Sequence, residues 1–394
     1  MAVVQRVGAG ADRTWTVLGS DWQVVGPVEE YFEFLRGNDN SPNTVKTYAH
    51  GLAAYWSFLE ATGEDWASVS PSTLGSFLRR LREGDVTGQV VALRTGVAQS
   101  LSSATLSLRL RAVMSFYRFH AANSGVLVAS RLYERVIGQP GPYRPFLDHL
   151  ARKTGRVRST VKVRQPGRRP PVFTPDQVAM ILDAAAVWDQ DGRRWIGNLR
   201  NRLLWCLLAE TGLRVGEALS LQHHDWHSGH GATAFIDIEP RSHPHGVRPK
   251  SGPRRVYIGA ELDRLYADFV WQLCDAGVDV AVDNLDSTYL FCNLDREPLY
   301  APLAPSTIYD HVRAIKLRNA ELPSEWSPHW FRHTHATALL LAGIDPVVVS
   351  RRLGHASVQT TLNTYAWVTA DAELRSLANW KEWITGWGTS NAEN

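Results

Sequence analysis

Between Ser327 and Tyr365 the chain collects side chains that could cut a phosphodiester. The run Ser327-Pro-His-Trp-Phe-Arg-His-Thr-His-Ala-Thr337 carries His329 and Arg332 one helical turn apart; Leu353-Gly-His355 follows, and Tyr365 stands ten residues beyond His355. Upstream lie Arg214, with Glu217 three residues on, and Lys250. A phosphoryl group in transit spreads negative charge over its equatorial oxygens, so the chemistry needs fixed cations, an in-line nucleophile and an acid for the leaving oxygen. Two arginines, two histidines, a lysine and a tyrosine supply each of these without a metal. Taken one at a time, the same residues have plainer readings. Arg214 and Glu217 could form a surface i,i+3 ion pair worth roughly 0.2–0.5 kcal/mol. His355 could cap a helix after Gly354, Tyr365 could be a core aromatic, and Lys250 could be a solvated turn residue.

Three ordered segments decide between these readings. Thr211-Gly-Leu-Arg-Val-Gly-Glu-Ala-Leu219, His329-Trp-Phe-Arg-His-Thr-His-Ala-Thr337 and Leu353-Gly-His355 through Tyr365 resemble the signature boxes of the tyrosine recombinase (phage integrase) family, in the family's order. The stretch from Leu353 to Thr369 further resembles the transposase A branch of site-specific transposons. The likeness covers the last two hundred or so residues, and the first half only through its helix pattern. It implies Arg214 and Arg332 as phosphate clamps and Glu217 as a carboxylate orienting them. His329 is implied in proton transfer at the tyrosine hydroxyl, His355 as a donor to a nonbridging oxygen and Tyr365 as nucleophile. The stretch Lys250-Ser-Gly-Pro-Arg-Arg-Val-Tyr-Ile258 resembles the family's hairpin, whose lysine protonates the departing 5′ oxygen; Arg248, Arg254 and Arg255 nearby could instead be phosphate contacts.

The activity so implied is site-specific cutting and rejoining of double-stranded DNA through a 3′-phosphotyrosyl bond, with no cofactor and no metal. A homotetramer on DNA is implied, with companion recombinases of the same element as further partners. The alternatives are a type IB topoisomerase-like nicking-closing enzyme and a noncatalytic DNA-binding protein on the same fold.

Composition agrees with a DNA-handling chain only once the charge is mapped. The net charge over 394 residues is +3, yet Arg152, Lys153, Arg156, Arg158, Lys162, Arg164, Arg168 and Arg169 fall in one stretch with no acidic residue, leaving the rest of the chain net acidic. Glycine and proline in this stretch mark an extended basic linker at 151–171. Such a run is commonly just solvated surface; at a junction between DNA-handling domains it suits phosphate contact. No apolar run long enough to span a membrane and no signal pattern is present, so a cytoplasmic protein is expected. Three cysteines without Cys-x-x-Cys spacing argue against a disulfide framework or cysteine zinc site. His223, His224, Asp225, His227 and His230 crowd together, but their spacing matches no closed metal site.

The elements that must position the chemistry are mostly helices. Before the linker, apolar stripes at helical spacing begin at Val28, Val45, Leu74 and Leu106, with Ser41-Pro42, Ser70-Pro71 and Ser102 as start signals. They predict a helical core-binding domain over 21–150, preceded by a patternless arm at 1–20. After the linker, Thr174-Pro175 opens a helix and Leu199 to Leu208 forms a buried one. Thr233–Ile238 and Arg255–Ile258 read as paired strands, and the rest is helical, with Ser327-Pro328, Asp345-Pro346 and Ser357 as starts and Gly343 and Gly354 as stops. The fold class is therefore mainly α with a small antiparallel β-sheet: a two-domain DNA clamp whose catalytic domain spans 172–369. Leu374, Leu377, Trp380, Ile384 and Trp387 predict an apolar helix in 370–394, packing in cis or exchanged between protomers.

Overall fold

The computed structural model describes residues 1–8, 14–83, 101–126, 128–136, 156–164, 169–229, 233–241, 243–247 and 251–368. The chain packs as two compact units, Met1–Gly167 and Arg168–Asn394.

The first unit is a helical bundle with a sheet at its N-terminal end. Strands β1 (Val3–Val7) and β2 (Thr14–Leu18) pair antiparallel, Val3 opposite Leu18. The expected patternless arm is thus a hairpin, and its fully buried Val17 joins the bundle core. Five-residue strands leave too little periodicity to stand out in a sequence. Helices α1 (Gly26–Gly37), α2 (Pro42–Thr62), α3 (Pro71–Glu83) and α4 (Ser103–Asn123) follow the four stripes. Ser41 accepts the Thr44 N–H at 3.2 Å and Ser102 the Thr105 N–H at 3.2 Å, each satisfying a donor that a helix start leaves unpaired. In the core the hydroxyls of Tyr55 and Tyr117 lie 2.7 Å apart, and Tyr117 donates to the Trp66 carbonyl at 2.9 Å, so neither buried phenol is orphaned.

A short helix α5 (Val128–Leu132) leads into β3 (Tyr133–Val136), which pairs antiparallel with β4 (Arg156–Ser159). Part of the basic linker is therefore a strand. Arg156 and Arg158 lie on it, Lys162 and Arg164 follow it exposed, and Arg169, in the second unit, has its guanidinium 5.3 Å from the Trp367 ring centroid. Arg152, Lys153 and Arg168 lie outside the described residues.

The second unit opens with α6 (Pro175–Asp183), where Thr174 and Gln177 form a reciprocal cap, and the hairpin β5 (Ala186–Asp189) with β6 (Arg194–Gly197). Helix α7 (Leu199–Thr211) runs through the core; Leu203, Leu204, Trp205, Leu207 and Leu208 are all fully buried, as its unbroken apolar run requires. Helix α8 (Val215–Leu219) and a 3₁₀ turn at His223–Asp225 precede a sheet ordered β7 (Trp226–His227), β8 (Phe235–Ile238), β9 (Arg254–Tyr257), with Phe235 opposite Tyr257. Then come α9 (Ala260–Asp275), α10 (Val278–Ala281), α11 (Pro305–Arg318), α12 (His329–Leu341) and α13 (Pro346–Leu353). The last helix among the described residues, α14, spans 358–368; Gln359 N–H donates to Ser357 at its start. Among the described residues no helix is long and apolar enough to cross a membrane. The apolar segment at 370–394 lies outside the described residues.

Candidate active site

The site is built where α8, α12, the α13–α14 turn and α14 converge. Two tight turns make this approach feasible. Gly212 ends α7 at φ +64°, and a Cβ there would meet Leu353 at 2.8 Å and His335 at 2.9 Å. Gly354 ends α13 at φ +67°, where a Cβ would strike the Arg254 guanidinium at 2.8 Å. Both need a left-handed backbone and the absence of a side chain.

Arg214 sits at the N-cap of α8, its side chain partly exposed. Its Nη1 donates to Glu217 Oε1 at 3.0 Å and to Ser251 Oγ at 2.8 Å. Glu217 is 2% exposed and is no ordinary surface partner. It also accepts from Arg254, Nη2 to Oε2 at 2.9 Å and Nη1 to Oε1 at 3.2 Å, from the Ser251 hydroxyl at 2.5 Å, and from the Arg214 backbone N–H at 3.0 Å. Burial alone would push its pKa up. The Arg254 hydrogen bonds and charge, the Ser251 hydroxyl and the Arg214 N–H outweigh that and hold it at about 2. Arg254 further donates from Nε to the Arg352 carbonyl at 3.0 Å, tying β9 to the end of α13. Arg255 pairs with Asp237 through two 2.9 Å hydrogen bonds and stacks on Phe235. Of the three arginines that sequence reasoning left open as phosphate contacts, Arg254 and Arg255 thus have protein partners. Lys250 and Arg248 lie outside the described residues.

Arg332, on the first turn of α12, is 2% exposed. Its Nη1 donates to the Gly212 carbonyl at 2.9 Å, while Nη2 is buried and finds no hydrogen-bond partner among the described residues. Burial and the neighbouring Arg214 charge lower its pKa to about 10, so the guanidinium remains charged at neutral pH. A buried cation with a spare donor is costly unless an anion comes to it. The start of α12 differs from expectation: Pro328 is the N-cap and no side chain caps it, Ser327 contributing only its carbonyl to the Trp330 N–H at 2.9 Å.

His329 is exposed at its outer edge, but its dense surroundings and the charges of Arg332 and Arg214 lower its pKa. Its ring meets that of His333 edge to face at 4.6 Å. His355 Nδ1 lies 2.7 Å from the hydroxyl of fully buried Thr361, and burial together with Arg332, Arg214, His329 and Arg254 lowers its pKa to about 4. Tyr365, 2% exposed on α14, has its pKa raised to about 12 by burial, against the pull of Arg332. Its hydroxyl is 2.9 Å from His333 Nδ1.

Sequence reasoning passed over several groups. His333 was visible only as the i,i+4 neighbour of His329, and Ser251 and Arg254 only as companions of Lys250. The pair His335 and Arg352 was missed as well: Arg352 Nε donates to His335 Nε2 at 3.0 Å and Nη2 to the Glu210 carbonyl at 3.1 Å, locking α13 onto α12 and α7. The histidine-rich turn has protein partners too, with Asp225 bound by Arg241 at 2.6 and 2.9 Å and His227 3.4 Å from Asp237; His230 lies outside the described residues.

Residues 171–371, more than half of the chain, match the model of the phage integrase family, and residues 28–123 match its N-terminal SAM-like domain. The chain belongs to the phage integrase family. Among this integrase's relatives is transposase A from transposon Tn554 of Staphylococcus aureus, 28% identical over 93% of each chain. Another is the tyrosine recombinase XerD of Mycobacterium tuberculosis, 29% identical over 84% of this chain and 88% of the relative. The fold is shared with the XerH recombinase in a post-cleavage complex with a difH substrate, at TM-score 0.57 and 19% identity, covering 86% of this chain and 80% of the other. It is also shared with the integrase of transposon Tn1549 bound to transposon right-end DNA, at TM-score 0.54 and 19% identity, covering 89% and 99%.

Proposed function

We propose that this integrase is a site-specific DNA recombinase of the transposase A branch. Tyr365 attacks the scissile phosphate, leaving a covalent 3′-phosphotyrosyl bond and a free 5′ hydroxyl that a second strand's hydroxyl later replaces. The observation that carries the reading is the buried Arg332, charged, anchored by Gly212 and holding an Nη2 donor that is unpaired among the described residues, on the same helix turn as the partner of the Tyr365 hydroxyl. Paired guanidinium donors fit a phosphate in transit, and the reaction conserves bond energy in the tyrosyl ester, so neither ATP nor a metal takes part.

Arg214 is the second clamp, its fork aimed by Glu217 and Ser251. In the tautomer whose Nδ1 accepts from the Thr361 hydroxyl, the proton of the neutral ring lies on Nε2, which makes His355 a neutral donor to a nonbridging oxygen. The sequence likeness assigns Lys250 the protonation of the 5′ oxygen. Relatives that act on DNA support duplex DNA as the partner. Strand exchange needs four such sites, which supports a homotetramer on DNA, joined by companion recombinases of the same element. The basic stretch around Lys162 and Arg164, near the C-terminal end of the first unit, adds phosphate contacts.

The test is covalent trapping on a nicked suicide duplex carrying the DNA that flanks the gene. The wild-type chain should form a denaturation-resistant adduct, and Tyr365→Phe, which deletes only the nucleophilic oxygen, should form none while binding the duplex as before. An adduct with Tyr365→Phe refutes the nucleophile. Exchange between two labelled duplexes separates a recombinase from a nicking-closing enzyme, which reseals its own strand.

A further inference from the structure

Among the described residues, the titratable side chain within hydrogen-bond reach of the Tyr365 hydroxyl is His333. Its Nδ1 lies 2.9 Å from Tyr365 Oη, within hydrogen-bond reach, and the rings sit edge to face with centroids 5.9 Å apart. The helix pitch explains the pairing. Arg332 and His333 are adjacent on α12, so their side chains diverge by about 100° around the axis. Arg332 reaches Gly212 at the end of α7, and His333 reaches α14. His329, one turn earlier on the His333 side, packs against the His333 ring and not against the phenol.

We propose that His333 is the proton acceptor for Tyr365 in the cleavage step, a role resting on the recombinase reading above. As the Oη–phosphorus bond forms, the Oη–H bond breaks and the proton passes to Nδ1. The phosphorus–5′ oxygen bond breaks in the same displacement, and its electron pair leaves on the 5′ oxygen, which takes a proton from the general acid of the site. In the reverse step the imidazolium returns its proton to the departing phenolate.

The surroundings set the timing. Among the described residues, the charged and titratable groups facing His333 are His329 and Arg332 on its own helix, His355 from the α13–α14 turn and Tyr365 from α14. Burial, then His329, Arg332 and His355, hold its pKa down at about 4, so the ring is neutral and able to accept at physiological pH. Tyr365 stands near 12, so the resting pair keeps its proton on oxygen. Transfer becomes favourable only when the phenol oxygen bonds phosphorus and its basicity collapses, while the phosphate's negative charge between the arginines favours an imidazolium. A nucleophile ionised only in the transition state is protected from idle reaction.

His333→Asn tests this, because the asparagine Oδ1 occupies the position of Nδ1 and accepts a hydrogen bond but cannot carry the proton away. The assay is single-turnover adduct formation on the nicked suicide duplex from the gene's flanking DNA, from pH 6 to 9, with thermal unfolding confirming the fold. Above pH 5 the wild-type rate should show no rise from this group. His333→Asn should cleave about 100-fold more slowly at pH 7, the low end of general-base contributions. Its rate should climb tenfold per pH unit as hydroxide replaces the lost base. Placing the more acidic 3,5-difluorotyrosine at position 365 of the variant should recover most of the rate. A His333→Asn enzyme that matches wild type, or is slowed with an unaltered pH profile and no recovery, overturns the proposal and leaves His333 as a positioning residue at most. A wild-type chain forming no adduct overturns the recombinase reading and this step together; a wild-type adduct with an unaffected variant overturns this step alone.

Discussion

Glu217→Gln probes the link between stability and the geometry of the site. The carboxylate is buried against two guanidiniums, a hydroxyl and a backbone N–H, and its pKa falls from the usual 4.5 to about 2. A folded-state pKa below the unfolded one means stability present above the unfolded value and lost as pH falls through the folded value. At about 1.4 kcal/mol per pKa unit, the ionised carboxylate contributes on the order of 3 kcal/mol at pH 7, with more than half gone by pH 3 and nearly all by pH 2. Glutamine keeps the shape but replaces one acceptor with an amide donor facing Arg254 or Arg214, so removal of one partner strands buried positive charge at a cost of about 3–5 kcal/mol. The assay is urea unfolding of wild type and variant at pH 7, 4 and 3, followed by a probe of the second unit such as Trp205 fluorescence. The variant should be less stable by about 3 kcal/mol at pH 7, and the gap should shrink below pH 4.5 as wild type loses its advantage. Because every other carboxylate titrates alike in both proteins, the difference isolates Glu217. A gap that is constant from pH 7 to 3 refutes the reasoning, since the stabilisation would then not depend on the carboxylate's charge.

Two further outcomes follow from the site and the basic stretch. Arg332→Lys keeps a charge but loses the planar fork in which one nitrogen holds the Gly212 carbonyl while a second, separate nitrogen is presented, so single-turnover cleavage should fall by about 10²–10³-fold with a smaller loss of binding; equal losses in both would reduce Arg332 to phosphate positioning. Replacing exposed Lys162 and Arg164 by alanine should flatten the log–log salt dependence of duplex binding by up to about 1.8 units if both meet phosphates, and an unchanged slope would return them to solvated surface.

Much of this was readable in the chain itself. Helix starts such as Ser41, Ser102 and Thr174 carry their own hydrogen-bond acceptor, so their role is local and appears in the sequence. The β8–β9 pair alternates visibly, and Arg214, Arg332, His355 and Tyr365 could be proposed for one site because each lies in a contiguous segment that resembles one of the family's ordered boxes. The β1–β2 hairpin escaped notice because its stability comes from Val17 entering a core made by distant helices. That Glu217 is buried, and not half of a surface ion pair, depends on Ser251 and Arg254 arriving from 34 and 37 residues away. Tyr365 is proposed as nucleophile because the box from Leu353 to Tyr365 resembles the family's, but the sequence does not show that its hydroxyl meets His333, 32 residues earlier on another helix. Which of two histidines one turn apart faces a given phenol is a matter of helix rotation and packing, decided to within a fraction of a turn by the core under α12. Residue types and their order belong to the sequence; the atom that touches the Tyr365 hydroxyl is set by tertiary packing.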